Sequence, residues 1–337
     1  MTGGAWHASG VIYNRATEAW ATVILVTGAS GLVGRQLVPR LHAEGLPVRA
    51  YVLPARGARP PRLDWPLEVE VVAGRLDDAQ TLYRAMQGVH TVIHLASAQW
   101  WGTRRDLQRV DIEGTQHLIV AARSARIGRL ITLSQLGAEP SSAYELLRVK
   151  GQVETLVRNS GIAYTIMRCG VLFGPEDRFV NGIAMLLRSN PLFFFQPGKG
   201  ESLLHPLYVG DLVSALVNSL ERIDLVDATI EIGGAEYVSY NEMIRTVMRV
   251  SGTQRVIVPV PPYLLRTLNR MVTRVVRRWP MTPQWLDLLA SNRTAKLGNL
   301  YDYCGVRPVR FEDTLLTYMP GRHYRRELLR FMWRRQH

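Results

Sequence analysis

The chain has 337 residues, of which 47% are hydrophobic and 20% charged. That is enough apolar material for a large globular core and rules out a disordered chain. Its two cysteines, Cys169 and Cys304, are far apart and lack metal-ligand spacing. A disulfide framework and a zinc site are therefore excluded, and a reduced, cytoplasmic setting is the expectation. No stretch approaches the roughly 20 apolar residues of a membrane span.

Residues 1–22 carry Arg15 and Glu18 and no apolar run of the signal-peptide kind. They read as an extension ahead of the first strand. Residues 23–26 form a short apolar run, expected to be a buried parallel strand. A helical pattern follows, with Leu37, Val38 and Leu41 on one face and Gly45 as its C-terminal cap. Strands are expected at 47–53 and 68–72. Asp77 is placed to cap a helix over 79–86. Further strands fall at 90–95, 130–133 and 164–167. Between them lie a long helix over 104–126, with Leu107, Val110, Leu118, Ile119 and Ala122 as its apolar stripe, and a helix over 142–159. This alternation predicts an α/β fold: a Rossmann-type, doubly wound parallel sheet with a smaller, mostly helical C-terminal region.

Beyond Pro175 helical patterns recur near 181–189, 210–221 and 239–251, and a strand near 228–232 is expected to rejoin the sheet. The domain reading is an extension over 1–22 and a dinucleotide-binding domain over 23–175 with contributions from 205–235. A substrate or partner region over 176–320 and a basic tail over 321–337 complete it. His205 and Asp211 do not make a metal set, and no metal is expected. Asp211 reads as a helix N-cap, and His94 as a strand-end residue beside the crevice. Trp100 and Trp101 read as pocket-lining or packing aromatics.

The first strand runs into Thr27-Gly-Ala-Ser-Gly-Leu-Val-Gly34. A pyrophosphate needs close approach to backbone, which a side chain at Gly28 or Gly31 would obstruct. The helix beyond supplies free N–H groups and a positive dipole end. Gly34 lets that helix pack against the strand. The pattern follows a strand and opens a helix, which is the context a dinucleotide site requires. The end of the second strand carries no acid for ribose hydroxyls. It carries Arg56 and Arg59, and Arg35 follows the glycine turn. Guanidinium groups suit a 2′-phosphate. The expected cofactor is therefore NADP(H), with NAD(H) as the alternative; the arginines read equally as solvated surface.

Several motifs together carry a family resemblance. They are residues 23–34, Gly74-Arg-Leu-Asp77, His94-Leu-Ala96, Asp111-Ile-Glu-Gly-Thr115, Leu133-Ser-Gln-Leu-Gly137, Lys150-Gly-Gln-Val-Glu154 and residues 168–175. The chain resembles the extended short-chain dehydrogenase/reductases, which include sugar-nucleotide epimerases and dehydratases. Residues 173–179, 206–211, 280–283 and 311–313 resemble more specifically the atypical branch. That branch holds the nucleotide-binding accessory subunit of respiratory complex I and its bacterial relatives. The turn and the matching motifs together imply cofactor contacts from Gly28, Ser30, Gly31, Leu32, Val33, Gly34, Arg35, Arg56, Leu76, Leu95, Ala96 and Lys150.

The family's chemistry uses a tyrosine four residues before a lysine on one helix. The lysine holds ribose hydroxyls and lowers the phenol's pKa, so that the phenol exchanges a proton with a substrate alcohol. Lys150 fits that lysine, but Leu146 stands where the tyrosine belongs. Tyr144, six residues back, would face away on a regular helix. A late helix start after Pro140, Ser141 and Ser142 would restore the pairing. Ser134 stands alone where active members carry a run of Ser or Thr, Asp111 replaces an asparagine, and Arg75 replaces an aspartate. Binding kept while catalysis is lost or altered is the main reading. An active oxidoreductase or epimerase/dehydratase using Tyr144, Lys150 and Ser134 on a nucleotide-linked or lipid-like substrate is the alternative.

Most of the +13 net charge lies in two segments. Residues 263–279 hold five arginines and no acid; residues 321–337 hold six arginines and Glu327. In the first, positions 264, 265, 268, 271, 272, 275, 276 and 279 form an apolar face opposite the arginines. Such a basic amphipathic helix suits an anionic membrane surface or a membrane-complex partner. It also suits a core-facing helix with solvated arginines. For the tail, with Leu328, Leu329, Phe331, Met332 and Trp333, docking to a membrane or partner is expected. Neither segment carries a nucleic-acid reading motif, so no nucleic acid is expected. The expected partners are a dinucleotide and an unknown small-molecule substrate, with peripheral membrane attachment left open.

Overall fold

The computed structural model describes residues 23–54, 63–100, 103–276 and 279–333. Arg56, Arg59, Trp101, Arg277, Arg278 and residues 1–22 and 334–337 lie outside the described residues. In the first half the order is β1 Val23–Thr27, α1 Leu32–Ala43, β2 Val48–Val52, β3 Glu70–Ala73, α2 Ala79–Ala85 and β4 Val89–His94. Then come α3 Arg104–Leu107, a π-helical turn Gln108–Glu113, α4 Gly114–Ser124, β5 Arg129–Gln135, α5 Glu145–Arg158 and β6 Ala163–Cys169. The second half holds β7 Leu172–Phe173, α6 Val180–Ser189, β8 Phe193–Pro197, β9 Leu203–Leu204, β10 Leu207–Tyr208, α7 Val209–Ser219 and β11 Ala228–Ile232. It closes with β12 Val238–Ser239, α8 Tyr240–Val250, β13 Val256–Val260, α9 Pro262–Val275, α10 Pro283–Leu288, α11 Asn299–Cys304, α12 Phe311–Tyr318 and α13 Tyr324–Trp333.

Among the described residues the main sheet has seven strands in the order β3-β2-β1-β4-β5-β6-β11. Every pairing in it is parallel. Strand order reverses between β1 and β4, so their carboxyl ends flank the crevice where doubly wound folds bind ligands. Both faces of the sheet are covered, which is why β1 is apolar throughout rather than alternating. Ile24 and Val26 pack toward α1, α7 and α11. Leu25 packs the other way, toward α2 and α4. A third cluster joins α5 and the π-helical turn to α6, α8, α10, α12 and α13, and so mounts the C-terminal region beside the crevice.

Several local expectations need correction. Asp78, not Asp77, caps α2, accepting from the Thr81 amide at 3.1 Å, while Asp77 pairs with Arg75. Gly45 (φ +74°) follows the cap residue Glu44. The helix expected over 104–126 contains a π-helical turn. The helix expected from residue 142 starts at Glu145, leaving Tyr144 extended at φ −88°, ψ 122°. Asp211 lies inside the first turn of α7, and its carboxylate accepts from the Val309 amide at 2.9 Å.

The two basic segments behave oppositely. Among the described side chains of α9, Leu265 and Asn269 are buried, and Tyr263 (74%), Leu264 (43%), Leu268 (46%) and Met271 (62%) are exposed. The apolar face is split: Leu265 packs into the core, while Leu264, Leu268 and Met271 form a ridge that points outward. The tail does the reverse. Tyr324 and Leu328 of α13 are buried, and Phe331 and Met332 pack on the same core. Tyr324, Leu328, Phe331 and Met332 thus complete the chain's own interior, and Leu329 is exposed.

Candidate functional site

The glycine turn sits between the ends of β1 and β4. Gly28 has φ +68°, and a Cβ there would lie 2.6 Å from the Ala96 amide nitrogen. Gly34 is equally constrained, with a Cβ 2.5 Å from Ala29. Gly31 differs: its Cβ would meet only the Gly28 carbonyl, at 3.1 Å. The fold itself thus demands glycine at Gly28 and Gly34, and leaves exposed space at Gly31 for a ligand to approach the backbone. Gly31 is the N-cap of α1, with no side-chain cap and no acid in the first turn. The amides of Leu32, Val33 and Gly34 therefore have no acceptor within the helix and sit at its positive end. A pyrophosphate fits this cradle by size and by charge.

Leu95 and Ala96 form the opposite lip, and the Leu95 amide donates to the Thr27 carbonyl at 3.1 Å. Leu76 packs against Gly114 at the start of α4. Arg35 is exposed, donating through Nε to the Ser30 carbonyl at 2.8 Å and lying 3.4 Å from Glu176. Such an exposed pair is weak and yields readily to a better anion. Arg56 lies outside the described residues.

Below the crevice is a buried polar chain. The Thr27 hydroxyl lies 2.7 Å from His94 Nδ1, and His94 Nε2 lies 3.1 Å from the Thr115 hydroxyl. That hydroxyl donates its own hydrogen to the Asp111 carbonyl. His94 Nε2 must then carry the proton, and Nδ1 must accept from Thr27. Burial holds the imidazole neutral, lowering its pKa to about 4, with the Asp111 charge opposing that shift.

Lys150 projects from α5 toward this chain. Its ammonium lies 3.1 Å from Asp111 Oδ1 and 3.1 Å from the Ser97 hydroxyl. Ser97 donates to Asp111 Oδ1 at 2.6 Å, and the Ala98 amide to Oδ2 at 2.8 Å. Asp111 belongs to the π-helical turn. Such turns re-aim side chains that a regular helix would point elsewhere. Both members of the pair are buried, so each supplies the other's partner where water cannot reach.

The three residues expected to share proton transfer are not brought together. Leu146, four before Lys150, is fully buried in the core. Tyr144 is half-buried at the N-cap of α5, close enough to Arg293 to act on its charge, while Lys150 is engaged by Asp111 and Ser97. Ser134 donates to Glu154 at 2.6 Å. Glu154 is buried and bound by Arg168 at 2.8 Å and Arg158 at 2.7 Å. The Ser134 hydroxyl hydrogen is committed to that cluster.

Sequence reasoning did not single out Ser97 or Asp287, and treated Asp111 only as a departure from a pattern. Asp287 accepts from the Leu146 amide at 3.3 Å and from Arg266 at 3.0 Å, so one carboxylate caps α5 and anchors α9. The charge at Asp111 against Lys150 was the available signal. His205 is a packing residue, held by the Gly234 carbonyl at 2.9 Å and the Ala295 amide at 3.2 Å. Trp100 packs on Phe179, with ring centroids 6.1 Å apart. Cys169 and Cys304 are buried free thiols whose pKa values burial raises, so neither is a reactive nucleophile.

A parallel sheet with this strand order, a glycine turn and an uncapped helix at its switch point define a dinucleotide-binding protein. Residues 28–183 match the family described as NAD(P)H-binding. This match and the relatives below support NAD(P)(H) as the cofactor and a likeness to the atypical extended short-chain dehydrogenase/reductases. It is 30% identical over 256 residues to the mitochondrial NADH dehydrogenase (ubiquinone) 1 alpha subcomplex subunit 9 of Arabidopsis thaliana, covering 72% of this chain and 58% of that one. It is 33% identical over 152 residues to a photosystem II assembly factor of Cyanophora paradoxa, covering 45% and 46%. The chain thus spans about half the length of these curated relatives. Its fold is that of Thermus thermophilus UDP-glucose 4-epimerase in complex with NAD, at a TM-score of 0.66, 19% identity, and 88% and 98% coverage. Among the described residues no helix is long and apolar enough to cross a membrane.

Proposed function

We propose that the chain is a holder of NADP(H) whose proton-transfer parts have been turned to structural use, serving a structural, regulatory or redox-sensing role. The observation that carries this is the Lys150–Asp111 pair, 3.1 Å apart and buried, beside a buried Leu146 in place of a phenol. Gly28, Ser30, Gly31, Leu32, Val33 and Gly34 would hold the pyrophosphate, with Leu76, Leu95 and Ala96 lining the crevice. Lys150 has two of its three donors engaged, and the third remains for a ribose hydroxyl. Arg35 and Arg56 would supply the preference for a 2′-phosphate. When bound, the nicotinamide supplies hydride chemistry; this chain's residues bind and orient it.

The test is a fluorescence titration with NADPH and NADH, followed by candidate carbonyl substrates. Tight NADPH binding without nicotinamide oxidation supports the proposal. Turnover that disappears in Lys150→Ala sinks it.

The second reading is an active oxidoreductase or epimerase/dehydratase on a nucleotide-linked or lipid-like substrate. What favours it is the late start of α5: Tyr144 is extended and not bound to helical periodicity. Tyr144→Phe would then abolish turnover without weakening NADPH binding, and an unchanged rate counts against it. Two relatives are named for an NADH dehydrogenase complex and for photosystem II assembly. By analogy, this chain's partner would be a membrane complex or its surface, reached peripherally through residues 263–279.

A further inference from the structure

The ridge of α9 raises a sharper question than whether a partner exists. Leu264, Leu268 and Met271 recur at helical spacing on the side away from the core, and Tyr263 and Arg270 flank them on the same outward arc. The inward side is set by Leu265 and Asn269, and by Arg266, which is anchored to Asp287 at 3.0 Å. The helix is therefore pinned with its apolar ridge outward. The strand leading into it continues the theme. β13 pairs with β8, and Phe193, Phe195 and Val256 of this two-stranded sheet are exposed while Phe194 faces the core. Exposed apolar residues scattered singly need no explanation, but a ridge this regular does.

We infer that α9, with the outward edge of β8 and β13, lies on an anionic lipid bilayer. This deepens the peripheral-partner reading above and rests on it. Two observations select the occupant. By sequence, residues 263–279 carry five arginines and no acid; with Arg266 paired to Asp287 the segment still keeps a positive balance beside its apolar ridge, which suits a surface both apolar and negative. A second copy of the chain is a poor occupant, because a two-fold contact would set this basic segment against itself. Arg270, exposed beside the ridge, places its charge at the lipid headgroups while Leu264, Leu268 and Met271 enter the acyl boundary. Tyr324 and Leu328 of α13 face the core and take no part in the contact.

The test is flotation of the full, NADPH-loaded chain with phosphatidylcholine vesicles, with and without phosphatidylglycerol. NADPH fluorescence is read in the same fractions. The chain should float with the phosphatidylglycerol vesicles at low salt, stay behind with neutral ones, and be released by added salt. Arg270→Glu should weaken partitioning about thirtyfold, from two charges at the constant for each basic residue. The double variant Leu268→Asn, Met271→Asn should lose flotation while binding NADPH as the wild type does. Phe193→Ser tests the strand edge separately, and should weaken flotation to a smaller degree. Wild-type protein that ignores anionic vesicles, or an α9 double variant that still floats, overturns the inference. Capture by a membrane complex but not by protein-free vesicles also overturns it, leaving the peripheral-partner reading standing. Loss of NADPH binding in the wild type would instead strike the cofactor reading.

Discussion

The two halves of the molecule depart from the ordinary rule in opposite directions. The sheet half buries polar groups: Lys150, Asp111, Glu154, Ser134 and His94 are all inside. The C-terminal half exposes apolar ones: Tyr263, Leu264, Leu268 and Met271 on α9, and Phe193 and Phe195 on β8. An ordinary protein does neither in quantity. Each of these buried groups has a polar partner, so the first departure costs little and fixes one arrangement of α5 against β5 and β6. The exposed apolar groups are unpaired, so the second has no internal justification and points to something outside the chain.

The contrast can be broken hardest at Glu154. Glu154→Ala removes the acceptor of Arg158, Arg168 and Ser134, and should destabilise the fold by about 3–5 kcal/mol in urea unfolding. A small loss would mean that the buried cluster is not what holds α5.

His94 comes next. Its folded pKa is about 4, against about 6.5 when unfolded, so the unfolded chain takes up the proton first. Stability from this residue is complete above about pH 6.5 and is lost as pH falls toward 4. The total is on the order of 3 kcal/mol. Urea midpoints from pH 7 to 4 should fall less steeply in His94→Gln, and parallel slopes would refute the neutral histidine.

Gly31→Ala is gentler. The added methyl meets only the Gly28 carbonyl, so stability should hold while NADPH binding weakens at least about tenfold, or ~1.4 kcal/mol. Unchanged affinity would move the pyrophosphate elsewhere. The smallest effect on stability belongs to Leu268→Asn, within about 0.5 kcal/mol, since that side chain is already half exposed. A large loss there would return α9 to the core.

What could be read from sequence, and what could not, follows the same physics. The strands and the glycine turn were legible because buried parallel strands are continuously apolar, and because Gly28 and Gly34 have no tolerated substitute. The delayed start of α5 was foreshadowed by Pro140, Ser141 and Ser142. The π-helical turn was not, because i→i+5 bonding leaves no residue signature in 108–113. In 263–279 and 321–337 periodicity announced two-sided helices, but not which side faces in. That choice depends on distant partners such as Asp287 for α9 and Asn181 for Tyr324, which no local pattern encodes.

The π-helical turn has a consequence for how this chain is lined up with others. A helix that widens for one turn holds a residue more than a regular helix of the same span. Counting forward from β4 in regular helical steps therefore misplaces every position after Gln108. Where a relative lacks the widening, a gap of one belongs between Gln108 and Glu113, inside a helix, where gaps are ordinarily disallowed. Deleting one residue there would leave the strands in place and swing Asp111 away from Lys150, silencing the pair by a change of phase alone.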